Sequence, residues 1–144
     1  MSGGEIYDNT SNGDGGGVYV YSSTFTMSSG KIFGNTSTKG QGGGVYAGST
    51  FTMNGGDIYG NTSNGSGGGA FVYDFRLSNG AIYGSNAADD LKNTAVTGAA
   101  LNIGSRSWYA NTAQYGTFNG DTWISKGNLL TTNNTIRVIN GVLQ

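Results

Sequence analysis

A ten-residue motif recurs at nearly constant spacing, and a repeat of this length limits the fold more than any other feature of the chain. Residues 1–10 (MSGGEIYDNT), 27–36 (MSSGKIFGNT) and 53–62 (MNGGDIYGNT) align without a gap, and 77–86 (LSNGAIYGSN) is a weaker fourth copy. The offsets are 26, 26 and 24 residues. A Gly triplet and a short apolar run follow each of the first three copies, at 15–20, 42–47 and 67–72, and a fourth run occupies 98–103. Within a unit, apolar residues fall at every second position, as in Phe25 and Met27, Val18 and Val20, or Phe51 and Met53. That is the period of a strand with one buried face, and helical periodicity is absent.

Each unit therefore reads as three short strands, Phe-x-Met, x-Ile-Tyr and Val-Tyr-Val or its equivalent, joined by Gly/Asn/Ser/Thr corners. None of these strands can bury its face alone. A unit of about 25 residues closes into a triangular coil, and the next unit stacks on it about 4.8 Å away, strand over strand. The expected fold class is all-β: a right-handed parallel β-helix (β-solenoid) of 24–26 residues per coil, its hand set by the bias of parallel crossovers. Coils start near 1, 27, 53 and 77, and like residues form core columns. The columns are Met1, Met27, Met53 and Leu77; Ile6, Ile32, Ile58 and Ile82; Val18, Val45, Ala70 and Leu101. The absence of proline suits coils whose N–H groups serve ladders on both sides.

Repeats are expected over 1–104, with a loop of about seven residues inserted around Asp89, Asp90, Leu91 and Lys92. Beyond Arg106 the pattern fades, and Trp108, Tyr109, Tyr115, Phe118 and Trp123 crowd a short stretch. Residues 105–144, with a strand-like run at 135–140, are expected to cap the last coil, because an open end offers unpaired strand edges. Met1 falls in register with Met27, in mid-coil. The expectation is a piece of a longer solenoid or a first coil completed by a neighbouring molecule.

Composition narrows the function. The chain has no Cys and no His, 10% charged residues and a net charge of −1, and Gly, Ser, Thr and Asn fill 75 of its 144 positions. This argues against a helical or Rossmann-like enzyme, a disulfide frame and a thiolate or imidazole metal site. The balanced charge gives no handle for nucleic acid or an acidic membrane surface. No apolar run reaches the length of a membrane span, so direct membrane insertion is not expected, and no signal peptide is visible at the N-terminus.

The Ile-x-x-Asn and Gly-Gly-Gly-Val pairs of residues 1–104 resemble the FxxN and GGA[ILV] repeats of polymorphic outer-membrane proteins and related autotransporter-adhesin passengers. This chain departs from the pattern with Ile for Phe, Gly for Ala, and Ser85 for Asn in the fourth copy. The resemblance implies display at a bacterial cell surface or outside the cell, and adhesion.

Several columns are candidate sites. Asn9, Asn35 and Asn61 share one corner and are expected to form an internal amide ladder; they also open Asn-Thr-Ser sequons, with Asn64 and Asn133 heading two more, so glycan attachment competes. Tyr7, Phe33, Tyr59 and Tyr83 form one aromatic column and Tyr19, Tyr46 and Phe71 another; both are expected to face outward, where they stack on themselves or bind sugar rings or another protein. Glu5, Lys31 and Asp57 alternate in sign and read as register control. Thr24, Thr26, Thr50 and Thr52 suggest a flat ice-binding face, which Asp74 and Arg76 interrupt.

Chemistry is sparse. Asp89 and Asp90 are the paired carboxylates, short of the ligand set of a lyase-type Ca²⁺ site, and Arg76, Arg106 and Arg137 are scattered. The Gly triplets lack the Lys-Ser/Thr and helix of a phosphate loop, and Asp14 is not repeated at Gln41 or Ser66 as a calcium-binding roll would need. No catalytic residue, metal or cofactor is assigned. The expected role is a non-catalytic structural or adhesive rod. The alternatives are a subunit that self-associates end to end into an oligomer or filament, and a carbohydrate-binding or polysaccharide-lyase-like β-helix acting on a host or matrix glycan; a protein partner on the same columns is also expected.

Overall fold

The computed structural model describes residues 1–105 and 112–144. Arg106, Trp108 and Tyr109 lie outside the described residues. Among the described residues all regular structure is β, arranged as a solenoid of about three turns. The first face stacks Ser2–Tyr7, Ser29–Phe33, Asp57–Tyr59 and Gly80–Ile82 in chain order, every pair parallel. Ile6 lies beside Ile32, Ile32 beside Ile58, and Ile58 beside Ile82, so the spacing read from the motif is the number of residues that carries the chain once round to the next rung.

The other two faces differ from the expected strand plan. A triangular coil of three strands puts Val-Tyr-Val and Phe-x-Met on separate faces, but they share one sheet. In the first coil they are Val18–Val20 and Phe25–Met27; in the next two they run together as Val45–Met53 and Ala70–Leu77. The remaining face is the polar pair Thr10–Ser11, Thr36–Ser37 and Thr62–Ser63. Apolar periodicity does not reveal it, because its inward residue is serine. Ser37 Oγ donates to Gly13 O at 2.8 Å and Ser63 Oγ to Gly40 O at 2.9 Å, and these bonds satisfy hydroxyls that burial would otherwise strand.

The core is a set of columns. Met27, Met53 and Leu77, then Ile32, Ile58 and Ile82, then Val45, Ala70 and Leu101 are all fully buried, while Met1, Ile6 and Val18 are partly buried at the first rung. A further internal stack of rings joins them: Phe25, Phe51 and Phe75, with centroids 5.2 and 5.0 Å apart. Burying each such side chain contributes about 1.5–3 kcal/mol.

The Gly triplets fit the columns together. Their first member, Gly15, Gly42, Gly67 or Gly98, turns the corner with φ between 62° and 70°, a region that disfavours a Cβ. Their third member makes room for the next coil's asparagine. A Cβ on Gly17 would lie 2.9 Å from the Asn35 amide, one on Gly44 3.0 Å from Asn61 Nδ2, and one on Gly69 2.8 Å from Asn93 Nδ2. In the fourth copy Ala99 and Ala100 stand where the glycines were, at the rung beyond Asn93.

After Ile82 the chain leaves the coil through a turn-rich excursion, the insertion expected around Asp89 to Lys92, and returns at Thr94, which bridges Thr62 in parallel. The stack is then closed by strands of the opposite sense. Ile136–Ile139 runs antiparallel to Gly80–Ile82 and to Val142–Leu143, and lays Ile136 and Val138 over the core. On the long face Leu101–Ile103 and Thr112–Asn119 continue the parallel ladder, and Thr122–Asn128 ends it as an antiparallel hairpin strand.

Candidate functional site

The corner before each Thr-Ser strand carries the asparagine ladder. Asn9 Nδ2 donates to Asn35 Oδ1 at 2.9 Å, and Asn35 Nδ2 to Asn61 Oδ1 at 3.0 Å. The same oxygens also accept the backbone N–H of Asn9 (3.1 Å) and of Asn35 (3.0 Å). The rail has a fourth rung that sequence reading missed. Asn61 Nδ2 and N donate to Asn93 Oδ1 at 3.0 and 2.8 Å, so Asn93 takes the place that Ser85 vacates in the motif. The available signal was Asn93-Thr94, which repeats the Asn-Thr of the first three coils after the insertion. Asn35, Asn61 and Asn93 are fully buried. Each second amide proton is spent on carbonyls, as in Asn61 Nδ2 to Ile32 O at 2.9 Å. A glycan on Asn35 or Asn61 would break this network; Asn64 and Asn133 remain exposed.

The first aromatic column stacks as expected. Tyr7 and Phe33 have ring centroids 5.1 Å apart and are 6° from parallel; Phe33 and Tyr59 are also 5.1 Å apart, at 4°. Tyr83 turns edge-on to Tyr59 at 6.1 Å, and its hydroxyl accepts from Arg137 Nη2 at 3.3 Å, so the closing strand ends the column. Tyr7 is 52% exposed, and the next three rings are half-buried.

The second column also stacks, with Tyr19 to Tyr46 at 5.2 Å and Tyr46 to Phe71 at 5.5 Å, but it is not the open outer stripe that alternation suggests. Tyr19 is exposed, whereas Tyr46, Phe71 and Tyr73 form a buried cluster of their own. The rings do point out of the tube; later chain then covers them. A Cβ on Gly104 would sit 2.5 Å from Tyr73 and 2.7 Å from Phe71, which shows how closely that backbone lies on the rings.

The charged residues act locally. Glu5, Lys31 and Asp57 are register partners, and Lys31 Nζ is 3.3 Å from Glu5 Oε1 on an exposed surface. Asp74 and Arg76 replace the threonines of the earlier coils by facing Thr50 and Thr52. Asp74 accepts from Thr112 Oγ1 at 2.9 Å and pairs with Arg76 at 3.7 Å, and Thr52 is itself buried, so no flat threonine face extends across this sheet. Asp14 Oδ1 accepts the Gln41 N–H at 2.8 Å. In the excursion, a hydrogen bond from Lys92 (2.7 Å) and the charge of its ammonium hold the Asp89 carboxyl below its ordinary range. Among the described residues no three His, Cys, Asp or Glu side chains come together.

Compared with protein-family models, with curated proteins and with solved structures, the chain matches none.

Proposed function

We propose that the chain is a non-catalytic structural element of a bacterial cell-surface or extracellular adhesive protein, acting as a stiff β-solenoid rod. The asparagine rail carries this reading. Four successive amides spend their hydrogen bonds on one another and on the backbone, so the corner is held by the same interaction coil after coil. The stacked rings of Tyr7, Phe33 and Tyr59 repeat in the same way on the outside. Repeating chemistry at rung spacing suits presentation and rigidity, while a reaction centre needs different groups converging on one point. The likeness of the Ile-x-x-Asn and Gly-Gly-Gly-Val repeats to outer-membrane and autotransporter-adhesin passengers supports the same placement.

The test is display of the chain on a non-adherent bacterium, alongside incubation of the purified protein with a polysaccharide panel. The expected result is a gain in attachment to host-matrix or biofilm surfaces with no release of reducing ends. Release of reducing ends overturns the non-catalytic reading, and unchanged attachment overturns the adhesive one.

A second reading, self-association, is favoured by the first rung. Tyr7 and Tyr19 are each about half exposed there, and among the described residues Asn9 Oδ1 lacks the donors that Asn35 Oδ1 and Asn61 Oδ1 receive. Any coil stacked on this rung would supply them, and in self-association that coil belongs to a second copy. Sedimentation velocity against concentration tests this: growth in mass supports it, and a monomer at high concentration removes it.

A further inference from the structure

An open cleft of about 670 Å³ lies where a corner of the third and fourth coils meets the tips of the two closing hairpins. Asn54, Ser78 and Asn79 come from the coil corner, Phe118 and Asp121 from the tip joining Thr112–Asn119 to Thr122–Asn128, and Asn140 from the tip joining Ile136–Ile139 to Val142–Leu143. We propose that this cleft binds a neutral pyranose sugar of one or two rings.

The lining chemistry selects that class. The amides of Asn79 and Asn140 each offer a donor and an acceptor, the carboxylate of Asp121 accepts only, and Asn54, whose Oδ1 takes the Ser78 hydroxyl proton at 2.9 Å, still offers its amide donors, a set that matches adjacent hydroxyls on a ring. Phe118 supplies an apolar face for the ring's C–H side. It is 38% exposed, and it is held against Trp123 at 4.9 Å, whose indole N–H is fixed by Gln114 Oε1 at 3.0 Å. Among the described residues no Lys or Arg lines the cleft, so a phosphate, sulfate or uronate would meet Asp121 without a counter-charge. A lone carboxylate is a poor cation site. An apolar ligand would strand the amides.

Ser78 Oγ already donates to Asn54 Oδ1 at 2.9 Å, but the cleft's other polar side chains are uncommitted. Unlike the rail asparagines, Asn79, Asp121 and Asn140 have no side-chain hydrogen-bond partner among the described residues. Asn79 and Asn140 are nonetheless held beside each other by backbone, since Gly141 N donates to Ser78 O at 2.7 Å and ties that hairpin tip to the coil corner. Asn140 has φ 48° and precedes Gly141 at φ 70°, the left-handed pair of a tight hairpin turn. Glycine accepts that conformation, so Asn140→Gly removes the amide and keeps the turn.

The experiment is an NMR titration of the ¹⁵N-labelled chain with cellobiose, chitobiose and maltose, with glucuronic acid and glucose 6-phosphate as charged controls. At least one neutral disaccharide is expected to shift the amides of Asn79, Gly120, Asp121 and Asn140 saturably, and the charged sugars are not. Asn140→Gly and Asp121→Ala should each weaken binding about tenfold, with the amide spectrum elsewhere unchanged. Saturable shifts with none of the neutral sugars, shifts confined to Tyr7, Phe33 and Tyr59, or wild-type affinity in Asn140→Gly would each overturn the proposal. It rests on the adhesive reading by giving it a point of contact. A blank titration alongside retained attachment fails this cleft alone, while lost attachment fails the reading itself.

Discussion

The stacked coils and the segment that closes them solve the same problem in opposite ways. In the coils each strand finds its own copy above and below, all in parallel, and the inward residues Ile32, Ile58, Met53 and Phe51 are fully buried. In the closing segment Thr112–Asn119 still pairs in parallel with the last coil but the strands that end each sheet pair antiparallel, nothing repeats, and apolar side chains stay in view: Ile124, Leu130, Ile139 and Val142 are all exposed. Stacking like on like extends without limit but cannot end itself. Ending it takes a chain that reverses direction, as Ile136–Ile139 does against Gly80–Ile82, where Ile136 adds one last isoleucine beside Ile82 and Val138 lies beside Gly80.

That contrast can be broken first at the rail. Asn61→Ala strips two donors and an acceptor from a fully buried network and is expected to cost about 3–5 kcal/mol by urea unfolding. Asn133→Ala, in the closing segment, removes the acceptor for Ala99 N and should cost about 1 kcal/mol. Equal losses would mean that the two regions are held alike. Phe51→Ala, inside the ring stack, is expected to cost about 3–5 kcal/mol, well beyond the same change at half-exposed Phe118. Gly44→Ala places a Cβ 2.6 Å from Gly69 O and against Asn61, for an expected loss of about 1–3 kcal/mol; a neutral result would show that the third glycine is not required by the rail.

Smaller effects sharpen the surface. Lys31→Ala breaks an exposed pair and should cost less than about 1 kcal/mol, less still in high salt. Asp89 has a depressed carboxyl pKa in the folded chain, so its pairing contributes above the unfolded pKa and is lost as pH falls through the folded one. The group is fully exposed, and the readout is therefore its own NMR titration, which Lys92→Ala should move back up to the ordinary carboxylate range.

What the sequence makes legible is identity at fixed spacing. The Ile, Met and Val columns, the register of Glu5 with Lys31 and the Asn9–Asn35–Asn61 rail follow because the same residue returns at the same offset. The Thr-Ser face was hidden because its buried member is polar and is satisfied only by the neighbouring coil. Asn93 was hidden because the excursion shifts it past Ser85. Alternation correctly turned Tyr46 and Phe71 out of the tube but carried no information about the later chain near Gly104 that covers them. The sugar cleft draws on Asn54, Asp121 and Asn140, which are brought together only by how the closing hairpins dock.

Equivalent residues of successive units lie one rung apart. Methyl NOEs among Ile6, Ile32, Ile58 and Ile82, in a sample with only isoleucine methyls protonated, test it directly. Strong contacts are expected between 6 and 32, 32 and 58, and 58 and 82, and none that skip a coil. Absence of the 32–58 contact, or a contact joining Ile6 to Ile82, would contradict it.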